Sequence, residues 1–205
     1  MKRTLTAAVI LLAAARGAEA APSRERPAEL AAAAYYKLSI PVAGEDAQSS
    51  WTGGAARFRY GLSQALAATA AFGYDRHEFP ESLTTEYDPG EAVERQLLSF
   101  RGGVVYDLPL GLLYPYVGGG LTLAREKTYF RYARLEPKVL YHPGLYVEAG
   151  TNVPLVGPLA VDVGPELVAL FGKRVAAYEA AANDYRYDDG AAVYFGVKAG
   201  LAIYF

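Results

Sequence analysis

Two histidines and no cysteine leave this chain a narrow choice of chemistry. His77 stands beside Asp75 and Glu78, in what reads as a long loop. His142 falls on the polar side of an alternating segment, upstream of Glu148. Neither precedes a nucleophile: Glu78-Phe79 follows the first and Pro143-Gly144 the second. A base with no hydroxyl or thiol to deprotonate does not make a triad. His142 therefore reads as a hydrogen-bonded interior residue and His77 as a solvated loop residue. The acidic set Glu78, Glu81, Glu86, Asp88, Glu91 and Glu94 could hold a divalent cation loosely, but it lacks ligand spacing and reads as a solvated acidic loop. Gly118-Gly119-Gly120 precedes no helix and carries no Lys-Ser/Thr, so it reads as a strand kink and not a phosphate cradle. No catalytic residue, cofactor or metal is expected.

The remaining ionisable residues fall into a pattern. Lys37, Arg57, Arg59, Arg101, Asp107, Glu148, Asp162, Glu166 and Lys198 all lie on one parity of alternating segments, while the other parity is apolar. The C-terminal VYFGVKAGLAIYF is the clearest case. Val193, Phe195, Val197, Ala199, Leu201, Ile203 and Phe205 alternate with Tyr194, Gly196, Lys198, Gly200, Ala202 and Tyr204. A period of two means a β-strand with two unlike faces. Eight such strands are predicted, at about 30–40, 54–62, 66–75, 95–107, 114–124, 139–151, 159–171 and 193–205. The alanine run at the start of the first could equally be helical.

The connections alternate in length. Ser63-Gln64-Ala65, Leu108 to Leu113 and Pro154 to Pro158 are short; Pro41 to Gly53, Arg76 to Glu94, Arg125 to Lys138 and Gly172 to Gly190 are long. Short turns at one rim and long polar loops at the other describe an up-and-down antiparallel barrel of the transmembrane kind. Strands of this length suit a tilted crossing of a bilayer.

The N-terminus fits export. Lys2 and Arg3 precede the apolar LTAAVILLAAA, and Ala18-Glu19-Ala20 forms a small-x-small site for cleavage between Ala20 and Ala21. Residues 1–20 are thus expected to be a removed secretory signal, 21–29 a short N-terminal segment, and 30–205 the barrel. The signal carries a net positive charge, so the mature chain is more acidic than the full-length −2. Such a chain has no global basic footprint, and nucleic acid is not an expected partner.

The facing of the barrel follows from composition. In a soluble carrier of lipocalin type the apolar parity would line the cavity. The outer face would then be the one rich in glycine and alanine, a poor soluble coat. In lipid the apolar parity meets acyl chains and the charges fill the lumen. Eight strands leave a lumen that side chains can fill. Five basic and four acidic inward positions can pair there, since paired buried charges are tolerated and lone ones are costly. A plugged polar core is expected; a small solute channel is the alternative.

Signal, alternating strands, alternating connections and a terminal Phe205 together resemble the small outer-membrane barrels of the OmpA/OmpX type, over residues 29–205. The resemblance implies a bacterial outer-membrane location with both termini periplasmic. It implies contact with outer-membrane lipid and lipopolysaccharide, and recognition of Phe205 by the outer-membrane assembly machinery. No periplasmic peptidoglycan-binding domain is expected after the barrel. Relatives of this type serve as adhesins, envelope stabilisers, small-molecule conduits or surface antigens, so the fold does not select a function. A structural or surface-interaction role is the reading, with host or envelope surface ligands as possible partners. A lipid A-modifying enzyme is the alternative, but the His-x-Ser of the deacylases on this scaffold is missing. Specificity should lie in the loops. The third combines Arg125, Lys127, Arg131 and Arg134 with Tyr129, Phe130 and Tyr132, cations beside aromatics that suit lipopolysaccharide phosphates. The fourth holds VAAYEAAAN, read as one or two helical turns.

Overall fold

A computed structural model describes residues 28–40, 49–78, 92–108, 113–130, 135–179 and 184–205. The predicted signal and cleavage site lie outside them. Eight strands follow one another: β1 (Ala28–Ile40), β2 (Ser50–Gly61), β3 (Leu66–Glu78), β4 (Ala92–Asp107), β5 (Tyr114–Phe130), β6 (Lys138–Pro154), β7 (Leu159–Glu179) and β8 (Asp184–Tyr204). Each pairs antiparallel with the next, and β1 pairs with β8 to close the barrel. Closure abolishes sheet edges. The seam is pinned at the short-turn rim, where Ala28 and Phe205 exchange backbone hydrogen bonds of 3.2 and 2.9 Å.

The alanine run Ala31–Ala34 is extended, facing Arg57–Gly54 on one side and Ala202–Ala199 on the other. Helix propensity is a weak prior, and pairing on both sides overrides it. The turn from β6 to β7 is tight, and Gly157 adopts φ 60° there, a conformation suited to glycine.

The two faces are unlike. Leu121 and Tyr141 are about two-thirds exposed (68% and 65%), while Lys198, Asp162 and Glu166 are at 1–2%. The apolar parity is therefore the outer wall and the charged parity the interior, the reverse of a lipocalin-type cavity.

Three expectations about the long-loop rim fail. β3 continues through His77, which is a buried interior residue and not a loop residue. β5 continues through Phe130, so Arg125, Lys127, Tyr129 and Phe130 belong to a strand and not to a loop. β7 and β8 take up most of Gly172 to Gly190, and Val175 to Glu179 is strand where helical turns were expected. The barrel is consequently lopsided. β1 to β3 hold 12 or 13 residues, whereas β7 and β8 hold 21 each.

Candidate functional site

The lumen is layered along the barrel axis. Nearest the short-turn rim, Glu29 accepts from Arg57 at 2.6 Å and from Arg59 at 3.0 Å, and Arg59 also reaches Asp107 at 2.6 Å. Arg57 spans to Asp162 at 3.0 Å and to Glu148 at 3.5 Å, and Lys198 donates to Glu148. Tyr116 ties this layer together. Its hydroxyl donates to Asp162 at 2.6 Å, and Arg57, Arg59 and Lys198 lie over its ring at 5.1–5.3 Å. Above it, Glu166 takes Arg101 at 2.8 Å and Lys37 at 3.2 Å, and Lys37 reaches Asp75 at 2.6 Å. Gly196 leaves room for these chains, since a Cβ there would stand 2.7 Å from Lys37 Cγ.

All nine residues of the expected lumen set face this interior, with Asp107 the least buried, at the rim. Glu29 and Asp75 join them. Glu29 lies on the inward parity one residue before Leu30, where the expected strand begins, because β1 extends back to Ala28. Asp75 lies on the inward parity of its strand and needed only to be counted. The lower mouth keeps a cavity of about 40 Å³ beside Glu29, Arg59 and Asp107.

An aromatic layer follows. Trp51 stacks on His77 at 5.3 Å and meets Tyr194 edge-on at 5.6 Å. Leu97, Ala124, Tyr146, Val168, Leu170 and Ala192 complete it. A cavity of about 10 Å³ between this layer and the Lys37–Arg101 layer has room for about one water.

A second charged cluster sits toward the long-loop rim. Glu126, 1% exposed, accepts from Arg174 at 2.9 and 3.2 Å and from Thr128 at 3.4 Å. Arg95 stands 3.7 Å away and His142 3.8 Å. His142 therefore meets a carboxylate. Continuing the inward parity of Thr122 and Ala124 would have found Glu126.

The outer wall changes character near the same level. On β4 the outward residues from Tyr106 to Leu98 are apolar and Gln96 and Glu94 follow; on β5 they are apolar to Leu123, and Arg125, Lys127 and Tyr129 follow. Arg125 is flanked across the ladders by Leu98 and Tyr141, and Lys127 by Gln96 and Val139. Lys127 lies 4.6 Å over the Tyr129 ring. Arg76 pairs with Glu78 at 2.8 Å and Glu94 at 2.9 Å, so these two carboxylates are occupied by an arginine. Phe130 turns inward, buried, with its ring 5.5 Å from that of Tyr185. It is not part of an exposed binding surface. Arg131, Tyr132 and Arg134 lie outside the described residues, as do Glu81, Glu86, Asp88 and Glu91.

No protein-family model and no curated protein sequence matches the chain. Solved structures do resemble it. Neisserial surface protein A aligns with a TM-score of 0.60 at 16% identity, covering 87% of this chain and 97% of that one. The outer membrane protein OprG of Pseudomonas aeruginosa gives 0.61 at 13% identity, over 91% and 99%. Ail, the attachment invasion locus protein of Yersinia pestis, gives 0.52 at 14% identity, over 87% and 99%. At these identities the likeness is one of fold: this chain has the closed eight-stranded antiparallel barrel seen in these surface and outer-membrane proteins.

Proposed function

We propose that the chain is an integral outer-membrane barrel with a filled lumen, short turns and termini on the periplasmic side, and a structural or surface-interaction role. One observation carries this: among the described residues the outer wall is uncharged and largely apolar up to the level where Arg76, Glu94 and Arg125 begin. Along β4 that band runs about 27 Å at ~3.4 Å per residue. A tilt of about 40° reduces it to roughly 20 Å of height, near the ~25 Å of outer-membrane barrels. Such a wall is an aggregation hazard in water and is at home in acyl chains.

At its upper border Arg125 and Lys127, beside Tyr129 and Tyr141, are placed to meet lipopolysaccharide phosphates. Charge-assisted contacts to phosphate are strong, and aromatics favour the membrane–water interface. Recognition of Phe205 during assembly belongs to the same reading. The role is read as non-enzymatic, with His142 facing the Glu126 carboxylate at 3.8 Å.

Two measurements test this. The protein in a detergent-extracted outer-membrane fraction should migrate at a shifted position unheated and at full length after boiling; recovery in the soluble periplasm with no shift overturns the membrane reading. A double variant, Arg125→Glu with Lys127→Glu, should retain the shift and lose roughly tenfold or more in lipopolysaccharide affinity, the scale of about 1.4 kcal/mol. Unchanged affinity removes the phosphate contact and leaves the barrel.

A further inference from the structure

The tall part of the barrel is joined to the rest in an unusual way. Among the described residues, β6 and β7 share ladder pairs only up to Gly144↔Leu170. β8 pairs with β1 only up to Val193↔Ile40. Beyond those levels the described residues of the β7–β8 hairpin ladder only with each other, from Phe171↔Ala191 to Glu179↔Asp184. At the base of this free ribbon Gly172 and Gly190 are direct partners, and Gly172 has φ 116°. That conformation is one only glycine adopts readily. A register shift between Val175 and Ala177 bends the ribbon again.

The ribbon leans over the lumen. Arg95, on β4, donates to the Val175 carbonyl at 2.7 Å. Arg174 reaches inward to Glu126 on β5. Tyr185, on the returning strand, donates to the Glu136 carbonyl at 3.3 Å, packs on Phe130, and lies 4.8 Å beneath the Lys138 ammonium. β4 and β5 are not neighbours of β7 in the sheet, so the Arg95 and Arg174 bonds reach across the mouth. Inward side chains at this level would be wet in an open barrel. Instead Glu126 and Thr128 are each 1% exposed and Val175 is at 0%.

We propose that the paired segments Gly172–Glu179 and Asp184–Gly190 form a hinged lid over the long-loop mouth of the lumen, latched by Arg174 on Glu126 and by Arg95 on the Val175 carbonyl. Closed, it covers the compartment that holds Glu126, Thr128 and His142. Open, it admits water down to the Trp51–Tyr194 layer and no further. It controls access to a vestibule and not passage through the barrel. Segments held by few backbone bonds open locally at low cost, and this ribbon is held to the wall by side chains.

The absence of native cysteine makes a thiol probe clean. In refolded full-length protein, Thr128→Cys should react with a water-soluble maleimide roughly tenfold or more slowly than Lys173→Cys, which is exposed on the lid. Adding Arg174→Ala should speed Thr128→Cys labelling by about tenfold while heat-modifiable migration stays the same. Equal rates for the two thiols, or no effect of Arg174→Ala, overturn the lid. If Thr128→Cys does not refold, spin labels at Arg186→Cys and Tyr141→Cys replace it. A second, longer distance appearing with Arg174→Ala supports the hinge, and one unchanged distance overturns it.

Discussion

The lumen holds two buried charge clusters that share chemistry and differ in footing. In the lower one, Glu166 lies between Arg101 and Lys37, and all three residues sit on strands laddered on both sides. In the upper one, Glu126 lies near Arg95 and Arg174, but Arg174 belongs to a ribbon that, among the described residues, has no ladder to the wall. The same ion pair is therefore part of the wall in one place and a fastening in the other. Where the backbone is already fixed, losing a partner leaves a charge that cannot move to water. Where it is not, losing a partner lets the segment leave.

The largest expected effect breaks the lower cluster. Glu166→Ala strands Arg101 and leaves Lys37 with the Asp75 carboxylate, in a site 1–6% exposed. Removing one partner of a buried pair costs about 3–5 kcal/mol. Urea unfolding of the refolded barrel, followed by the loss of the heat-modifiable band, should show a midpoint shift of that order. A shift below about 1 kcal/mol would mean the lower lumen is wetter than its burial implies and would erase the contrast between the clusters.

Next is Gly196→Val, which tests whether the lower network is rigid. A side chain there meets Lys37 and Glu166 at once, as well as the Tyr36 carbonyl 3.3 Å from the Cβ position. Overpacking a fixed interior costs about 1–3 kcal/mol, measured in the same unfolding assay. A neutral result would show that Lys37 can swing aside and that the lower cluster shares the looseness assigned to the upper.

These two clusters were not equally legible in the amino-acid sequence. Wherever the outer wall is apolar, alternation betrays the strand, and Lys37, Arg57, Glu148, Asp162, Glu166 and Lys198 could be placed inside from parity alone. Past the border the outward residues turn polar and the period disappears. Arg125-Glu126-Lys127-Thr128 alternates outward and inward as faithfully as Leu121-Thr122-Leu123-Ala124, but both of its faces are polar, so it reads as a loop. Arg76-His77-Glu78 reads as a loop for the same reason, although His77 lies against Trp51. In Val175 to Glu179 the alanines suggested helix, whereas pairing with Asp184–Tyr187 makes strand. The upper cluster was hidden because hydrophobic periodicity reports on lipid contact, and its strands had risen above it.

Arg174→Ala sharpens the comparison from the other side. It removes the fastening of Glu126, and Arg95 stays nearby at 3.7 Å. Because the ribbon can lift and hydrate Glu126, the global unfolding midpoint should move by less than about 1 kcal/mol, far below the effect of Glu166→Ala, while Thr128→Cys labelling accelerates. A large loss of stability with no change in labelling would make the upper cluster as structural as the lower.

The smallest effect is expected outside the lumen. Arg76 bridges Glu78 and Glu94 at 2.8 and 2.9 Å, as close as Arg101 to Glu166 and Arg174 to Glu126, but its side chain is 48% exposed. Water and salt screen such pairs, so Arg76→Ala should leave the unfolding midpoint unchanged within error and insensitive to added salt. Three arginine–carboxylate clusters of similar distances would then rank by burial and backbone anchorage, with distance irrelevant to the order. If Arg76→Ala instead destabilised the barrel as much as Arg174→Ala, the border of the apolar wall would have to lie higher than the outward charges place it, with Arg76 inside the low-dielectric zone.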